Sequence, residues 1–173
     1  MTHLSQHSNE MGATTTAKTP APNQPRIKNP ASLLPGAMQG IQTLMAAVYK
    51  GGVPASTLEL CHLRASQING CHLCIESGQM QAKSKGETDE RLKAVANWQG
   101  SELFTDAERA ALALSESVTR IADSEDPVPN AIWQQATRYY DGRALAALVL
   151  MISVTNTFNR LNVSTRQVAA EWG

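Results

Sequence analysis

The spacing of apolar residues after Pro35 is the feature that most limits how this chain can fold. Apolar side chains recur there at three- and four-residue intervals: Met38, Ile41, Leu44, Met45 and Val48. This is the period of one face of an α-helix, and it returns in later segments. We see no convincing alternation of apolar and polar residues. The run at 149–154 could be mistaken for a strand, but it lies inside a longer alanine- and leucine-rich helical pattern. The sequence therefore predicts an all-α fold.

Stop and start signals divide this pattern into separate helices. Glycines end the first three helices, and Thr105-Asp106-Ala107-Glu108 is a capping box that begins the fifth. The predicted helices run from Pro35 to Gly51-Gly52, from Pro54 to Asn69-Gly70 with Ser56 as N-cap, from Cys71 to Gly86, from Thr88 to Trp98, from Thr105 to the linker at 126–129, over 131–140, and over 143–159 with Asp141 as cap.

The first thirty residues differ from the rest of the chain. They contain four prolines, a run of three threonines and almost no large apolar side chain. A segment of this composition cannot bury enough surface to offset the entropy lost on ordering. We therefore predict a flexible tail over 1–30 and one helical domain over 31–173.

Charge and hydropathy exclude several classes of function. The formal net charge is zero, so no long-range field favours nucleic acid or an anionic membrane. No apolar run is expected to approach the length that spans a bilayer, and residues 1–13 lack the apolar core of a secretory signal. We expect a cytoplasmic protein. In that compartment a close cysteine pair is more often a metal site or a redox couple than a structural staple.

The strongest chemical signal is Cys71-His72-Leu73-Cys74. Residues three apart share a helical face, so the two sulfurs can meet. Gly70 breaks the preceding helix and leaves Cys71 at the start of the next, where free N–H groups and the helix dipole favour a thiolate. A reversible dithiol–disulfide couple is the favoured interpretation. A thioredoxin fold does not fit, because the βαβ pattern that accompanies its motif is missing.

Two other interpretations of the cysteine pair stay open. Zinc would need four ligands, and the spare candidates nearby are Cys61, His62 and His72, with no second two-cysteine cluster. The pair could also be inert core cysteines. Cys61 itself is most simply a small buried residue of the second helix.

The stretch 58–74 resembles the signature of the alkyl hydroperoxidase D branch of the carboxymuconolactone decarboxylase family. That signature has a glutamate, a C-x-x-C pair beginning twelve residues later, and a histidine four residues after the second cysteine. Glu59, Cys71 and Cys74 match it, and the likeness extends through 103–113 and 156–162. The resemblance implies an all-helical domain that assembles into homo-oligomers, as trimers or hexamers.

The resemblance also implies an activity. Cys74 would attack a hydroperoxide and become a sulfenic acid, and Cys71 would condense with it to a disulfide. A dithiol reductant, of the lipoyl type or another, would then restore the pair. No cofactor or metal is implied, because the thiols carry the electrons. The decarboxylase branch acts on a lactone acid without a C-x-x-C pair, so that activity is a lesser alternative. A second alternative is a non-peroxidase redox sensor or interaction protein on the same scaffold.

Proton transfer is the weakest part of the match. By resemblance Glu59 moves protons to and from the thiols, but Ser56-Thr57-Leu58-Glu59 also reads as a capping box. The family histidine is replaced by Gly78. If nothing replaces that imidazole, Gly78→His should raise activity. His62 and His72 are the candidates to compensate, although packing or surface roles are the simpler interpretation of both.

Overall fold

The computed structural model describes residues 24–168, and within that range every regular element is helical. The predicted all-α class is therefore confirmed. The α-helices are α1 Pro30–Leu33, α2 Ala37–Val48, α3 Ala55–Ile68, α4 His72–Ser84, α5 Asp89–Ala94, α6 Asp106–Thr119, α7 Asn130–Thr137 and α8 Gly142–Thr165. Two short 3₁₀ segments, Val95–Gly100 and Ile121–Asp123, follow α5 and α6.

The cap residues account for most of the helix starts. The Thr105 hydroxyl accepts from the Glu108 N–H at 3.3 Å, and the Glu108 carboxylate accepts from the Thr105 N–H at 2.9 Å, as a capping box requires. The Asp141 carboxylate likewise accepts from the Ala144 N–H at 2.8 Å and begins α8.

Three predicted boundaries are wrong in detail. Pro54, not Ser56, is the N-cap of α3, because its fixed φ of −53° lets the chain turn into the helix at the next residue. The third helix begins at His72, with Cys71 as its N-cap. The segment predicted as one helix over 88–98 is α5 followed by a 3₁₀ segment, with a non-helical backbone at Asn97.

Two apolar clusters form the core, and α3 contributes to both. The first cluster lies between α3, α6 and α8, and its largest fully buried side chains are Leu58, Leu114, Leu148, Met151 and Ile152. The second lies between α3, α6 and the α5 region, with Leu60, Leu63, Leu92, Val95 and Leu112. Each such side chain stabilises the fold by about 1.5–3 kcal/mol through burial. The helix that carries Glu59 and His62 is thus packed on two sides.

The helix α8 is the central element of the first cluster. Within residues 24–168 it alone has the length and mean hydropathy, 1.4 over its most apolar window, of a helix that could cross a bilayer. The expectation that no segment approaches that length is therefore too strong. Half of that window is buried against the rest of the chain, as in the core helix of a globular domain.

The end of the predicted tail contacts α8. The Arg26 N–H donates to the Thr165 carbonyl at 2.9 Å, and the Asn29 side-chain amide donates to Asn162 Oδ1 at 3.1 Å. Residues 1–23 of the predicted tail lie outside the described residues. The stretch 24–30 therefore runs along the C-terminal end of α8.

Candidate redox site

The turn between α3 and α4 places the cysteine pair. Gly70 has a φ of +64°, a conformation that glycine adopts without strain, and it ends α3. The Cys71 N–H then donates to the Ser66 carbonyl at 3.0 Å, which ties the turn to α3. The Cys74 N–H donates to Cys71 Sγ at 3.4 Å. Both sulfurs therefore lie at the positive end of α4, where a thiolate is favoured.

Cys71 and Cys74 are joined by a disulfide, with their Cα atoms 5.3 Å apart. Both side chains are buried. The third cysteine, Cys61, is free and packs in the core, where its thiol donates to the Ala111 carbonyl at 3.6 Å. Burial, assisted by the charge of Glu108, raises the pKa of the Cys61 thiol to about 12. The structure thus separates a disulfide-bonded pair at the edge of α4 from a free thiol buried in the core.

A cavity of about 530 Å³ opens beside Cys74, which lines it, whereas Cys71 is not among the lining residues. Its walls are mostly apolar, and the large apolar side chains are Met45, Leu73, Met80, Met151, Val154 and Phe158. Its polar groups include Glu59, His62 and Asn162. An apolar cleft with a few convergent polar groups is the usual form of a small-molecule site.

Asn162 is a site residue for which the sequence analysis assigned no role. Its side-chain amide donates to Cys74 Sγ at 3.3 Å, and its Oδ1 accepts from the Asn29 amide. This second bond fixes which end of the amide faces the sulfur. A signal was present in the sequence, since Asn156, Asn159 and Asn162 recur at three-residue spacing in an apolar helix. All three are buried.

Glu59 lies at the floor of the site with 1% of its side chain exposed. Its carboxylate accepts a short hydrogen bond from the Tyr49 hydroxyl and pairs with Lys85 Nζ at 2.5 Å. The α3 helix has no side-chain cap, so the capping-box interpretation of Glu59 is wrong. A buried carboxylate needs such partners to offset its lost hydration.

Tyr49 and Lys85 complete this cluster, and neither was predicted. Burial, followed by the hydrogen bond and charge of Glu59, raises the pKa of Tyr49. Burial alone would lower the pKa of Lys85, but its hydrogen bonds to Glu59 and Tyr49 outweigh that effect and raise it. Lys85 Nζ also lies 4.3 Å from the centre of the Tyr49 ring. The Lys85 amine therefore stays protonated, and positively charged, beside the Glu59 carboxylate.

His62 enters the site one helical turn after Glu59. Its Nε2 lies 3.3 Å from the Cys74 carbonyl oxygen and its Nδ1 lies 3.1 Å from the Thr155 hydroxyl. Burial lowers the pKa of His62, although the charge of Glu59 opposes this. His72 is exposed on the first turn of α4 and is not among the residues that line the cavity.

Gly78 lies against the Cδ2–Nε2 edge of the His62 ring. A Cβ built at this position would lie 2.7 Å from His62 Cδ2 and 3.0 Å from Nε2, closer than non-bonded atoms approach. The expectation that Gly78→His raises activity is therefore not supported, because any side chain there must first displace His62.

Within residues 24–168 no group of three or more His, Cys, Asp and Glu side chains is arranged to hold a metal ion.

An all-helical domain with a C-x-x-C pair at a helix N-terminus and a buried glutamate on the preceding helix defines the alkyl hydroperoxidase D-like class.

The chain belongs to the carboxymuconolactone decarboxylase family, whose sequence model matches residues 35–117. It is 30% identical over 138 residues to the uncharacterized protein YdfG of Bacillus subtilis, an alignment that covers 80% of this chain and 92% of YdfG.

Two solved structures share the fold. A protein of unknown function from Agrobacterium tumefaciens, provisionally assigned to antioxidant defence as AhpD, superposes with a TM-score of 0.77 at 27% identity, covering 84% of this chain and 97% of the other. The debrominase Bmp8 superposes with a TM-score of 0.69 at 20% identity, covering 79% and 73%. At that identity the likeness to Bmp8 concerns the fold.

Proposed function

We propose that the protein is a thiol-dependent peroxidase that reduces organic hydroperoxides through Cys74 and Cys71. The observation that carries this proposal is the placement of the pair. Cys74 lines a largely apolar cavity of about 530 Å³, and Cys71 is bonded to it but is not among the lining residues. A substrate in the cavity meets Cys74 first, while Cys71 is already in position to resolve the product.

The reaction proceeds in two balanced steps. The Cys74 thiolate attacks the distal oxygen of the hydroperoxide, so that an S–O bond forms, the O–O bond breaks and the alkoxide takes a proton to leave as an alcohol. The Cys71 thiol then attacks the sulfenic acid, forming the disulfide and releasing water. The peroxide is reduced by two electrons and the two thiols are oxidised by two.

Two features of the site support a thiolate at Cys74. Its sulfur accepts the Asn162 amide proton at 3.3 Å and lies in the first turn of α4. Hydrogen bonds to the charged form and a helix N-terminus both lower a thiol pKa. Glu59, held by Tyr49 and Lys85, supplies a charged group that relays protons within the same cavity.

A dithiol reductant of the cytoplasm closes the cycle by thiol–disulfide exchange, becoming a disulfide itself as the Cys71–Cys74 bond is reduced. A lipoyl-type arm, which is a dithiol on an apolar chain, suits the apolar walls of the cavity. The proposed working form is a homo-oligomer, as in the branch that the chain resembles.

The test is steady-state turnover of cumene hydroperoxide with excess dihydrolipoamide, followed by loss of peroxide. We expect many turnovers per protein, none for Cys74→Ser and a lower rate for Cys71→Ser. Treated with hydroperoxide in the absence of reductant, Cys71→Ser should accumulate a sulfenic acid that dimedone traps. The control Cys61→Ser should turn over like the parent protein. Oxidation of the parent protein by one equivalent without turnover would instead favour the redox-sensing alternative.

A further inference from the structure

We propose that His62 is the acid–base residue of the Cys74 site and that Gly78 provides the room for its ring, an inference that rests on the proposed peroxidase function. His62 comes from α3, one turn beyond Glu59, and reaches across to α4. Cys74, Glu59, His62 and Gly78 all line the same cavity. The site thus receives its imidazole from α3.

The contacts of His62 determine its tautomer. A carbonyl oxygen only accepts hydrogen bonds, so Nε2 carries the proton that faces the Cys74 carbonyl at 3.3 Å. In the neutral ring Nδ1 is then an acceptor, and it receives the Thr155 hydroxyl proton at 3.1 Å.

The same contacts also accommodate a protonated ring. A hydroxyl both donates and accepts, so Thr155 can rotate its proton away and accept from Nδ1–H. Both protonation states of His62 therefore keep both hydrogen bonds. A partner that could only donate or only accept would favour one protonation state, whereas the Thr155 hydroxyl leaves both open to an acid–base group.

The surroundings keep the ring neutral at rest. The charged and titratable groups that share its cavity are Glu59 from α3, Cys74 and Glu76 from α4 and Tyr49 beyond α2, and Lys85 beyond α4 acts on the ring through its charge. From α8 the ring contacts the uncharged Thr155, and the uncharged Asn162 lines the same cavity. Burial is the largest influence and lowers the pKa of His62, with Lys85 acting in the same direction and Glu59 against it.

A neutral imidazole can carry a proton through the first chemical step. The Thr155 hydroxyl, which lines the same cavity as Cys74, takes up the proton of the Cys74 thiol and passes its own proton to His62 Nδ1, which leaves an imidazolium and a thiolate. The thiolate forms the S–O bond and the O–O bond breaks. The imidazolium then returns a proton through the Thr155 hydroxyl to the departing alkoxide, so the products are a sulfenic acid, an alcohol and neutral His62.

Gly78 provides the space that the His62 ring needs beside α4. Glycine is a poor helix former, and Gly78 lies in the interior of α4. A Cβ there would lie 2.7 Å from the imidazole. The missing side chain therefore lets the Cδ2–Nε2 edge of the ring approach α4, next to the Cys74 carbonyl.

The first test compares His62→Gln with His72→Ala, a change at the exposed histidine between the cysteines. Glutamine can still donate to the Cys74 carbonyl but cannot relay a proton. We expect a second-order rate with cumene hydroperoxide about 100-fold lower at neutral pH for His62→Gln, with loss of the acid limb of its pH profile. His62→Ala should be partly rescued by added imidazole, and His72→Ala should match the parent protein. A His62→Gln variant with the parent rate and pH profile would overturn the proposal.

A double-mutant cycle tests the part of Gly78. Gly78→Ala should slow the parent protein, because the new methyl group displaces the ring, but should change little in the His62→Ala background, where the ring is gone. Equal effects in both backgrounds would overturn the coupling between the two residues.

A separate measurement distinguishes this inference from the proposed function. The rate of Cys74 alkylation by iodoacetamide in reduced protein, mapped by peptide mass spectrometry, involves no peroxide. We expect His62→Gln to change the pH dependence of that rate even if the parent protein fails to turn over hydroperoxides. An unchanged alkylation profile would overturn the role of His62 independently of the peroxidase assay.

Discussion

The side-chain amide of Asn162 donates to Cys74 Sγ at 3.3 Å, across 88 residues of sequence. The donor comes from the last turns of α8 and the acceptor from the first turn of α4. Asn29 holds the other end of the amide. The central helix of the core thereby contacts the sulfur that lines the cavity, and we expect the reactivity of Cys74 to depend on how α8 packs.

Removing this donor should weaken the thiolate. We expect Asn162→Ala to raise the pKa of Cys74 and to lower its alkylation rate near neutral pH by roughly tenfold or more, because a hydrogen bond to a charged group is worth about 1.5–3 kcal/mol. The measurement is the pH dependence of iodoacetamide alkylation in reduced protein. The control is Asn130→Ala, at an exposed asparagine of α7. An alkylation profile identical to that of the parent would contradict the assignment of this hydrogen bond to thiolate stabilisation.

Glu59 should matter for both activity and stability. Glu59→Gln preserves volume but leaves Lys85 without its carboxylate partner, which lies 2.5 Å away in the parent protein. We expect a fall in peroxidase rate of about 10²-fold if Glu59 relays protons. We also expect a drop of about 1–3 kcal/mol in the free energy of unfolding, because a buried polar site loses a charged partner.

Tyr49→Phe separates these two effects. It removes the hydroxyl that donates to Glu59 but leaves the Glu59–Lys85 ion pair intact. We expect a smaller loss of activity and of stability, measured by urea unfolding and peroxide turnover. If Glu59→Gln unfolds easily yet keeps the parent rate per folded molecule, Glu59 is a structural anchor and not a proton relay.

The sequence predicts the helices better than the site, for a physical reason. Helix periodicity and caps such as Thr105–Glu108 and Asp141 are local patterns, so they can be read from a few adjacent residues. The predicted start of α3 at Ser56 is wrong because Ser56 and Glu59 fit a capping box in sequence, whereas in the structure Glu59 is buried against Tyr49 and Lys85. Tertiary packing outweighed the local pattern.

The cysteine pair and Glu59 could be proposed from sequence because their spacing is a recognisable pattern. The residues that contact them in the site could not be proposed in this way. Thr155 meets His62 across 93 residues, and Lys85 meets Glu59 across 26. The role of Gly78 could not be predicted from the sequence either. Only the packing of α3 on α4 shows that the His62 ring occupies the space that a side chain at position 78 would need.

Assembly into a homo-oligomer stays a prediction. Apolar residues over 145–152 nearly encircle α8, a pattern that requires burial by the chain's own domain or by a neighbour. Most of them, including Leu148 and Met151, are buried within their own chain. Leu150 of the same helix remains 39% exposed, and on other segments Leu34 is 64% and Trp133 is 40% exposed. We expect light scattering at micromolar concentration to give a mass of three or six chains, and Leu150→Glu to shift it toward smaller species. A stable monomer of 18.6 kDa would contradict this prediction.

The Cys61 thiol should not react with alkylating reagents in the folded protein. Its ionisation should contribute to the loss of folding stability at alkaline pH. Burial raises the pKa of this thiol from 9.0 to about 12. Between those two values the unfolded chain loses the proton while the folded chain keeps it. The contribution to the free energy of unfolding is therefore complete below about pH 9 and is lost as the pH rises toward 12.

This behaviour gives two measurements. Mild oxidation of reduced protein followed by peptide mapping should recover the Cys71–Cys74 link, and iodoacetamide at pH 8 should label Cys61 only after denaturant is added. In urea unfolding, the parent protein should lose stability between pH 9 and pH 11 more steeply than Cys61→Ala, which has no thiol to ionise. Cys61→Ala should itself be less stable at pH 7, since it removes a buried sulfur from the first core cluster. Parallel stability curves for the two proteins over that pH range would mean that the Cys61 thiol is open to solvent or base, in contradiction to its fully buried position.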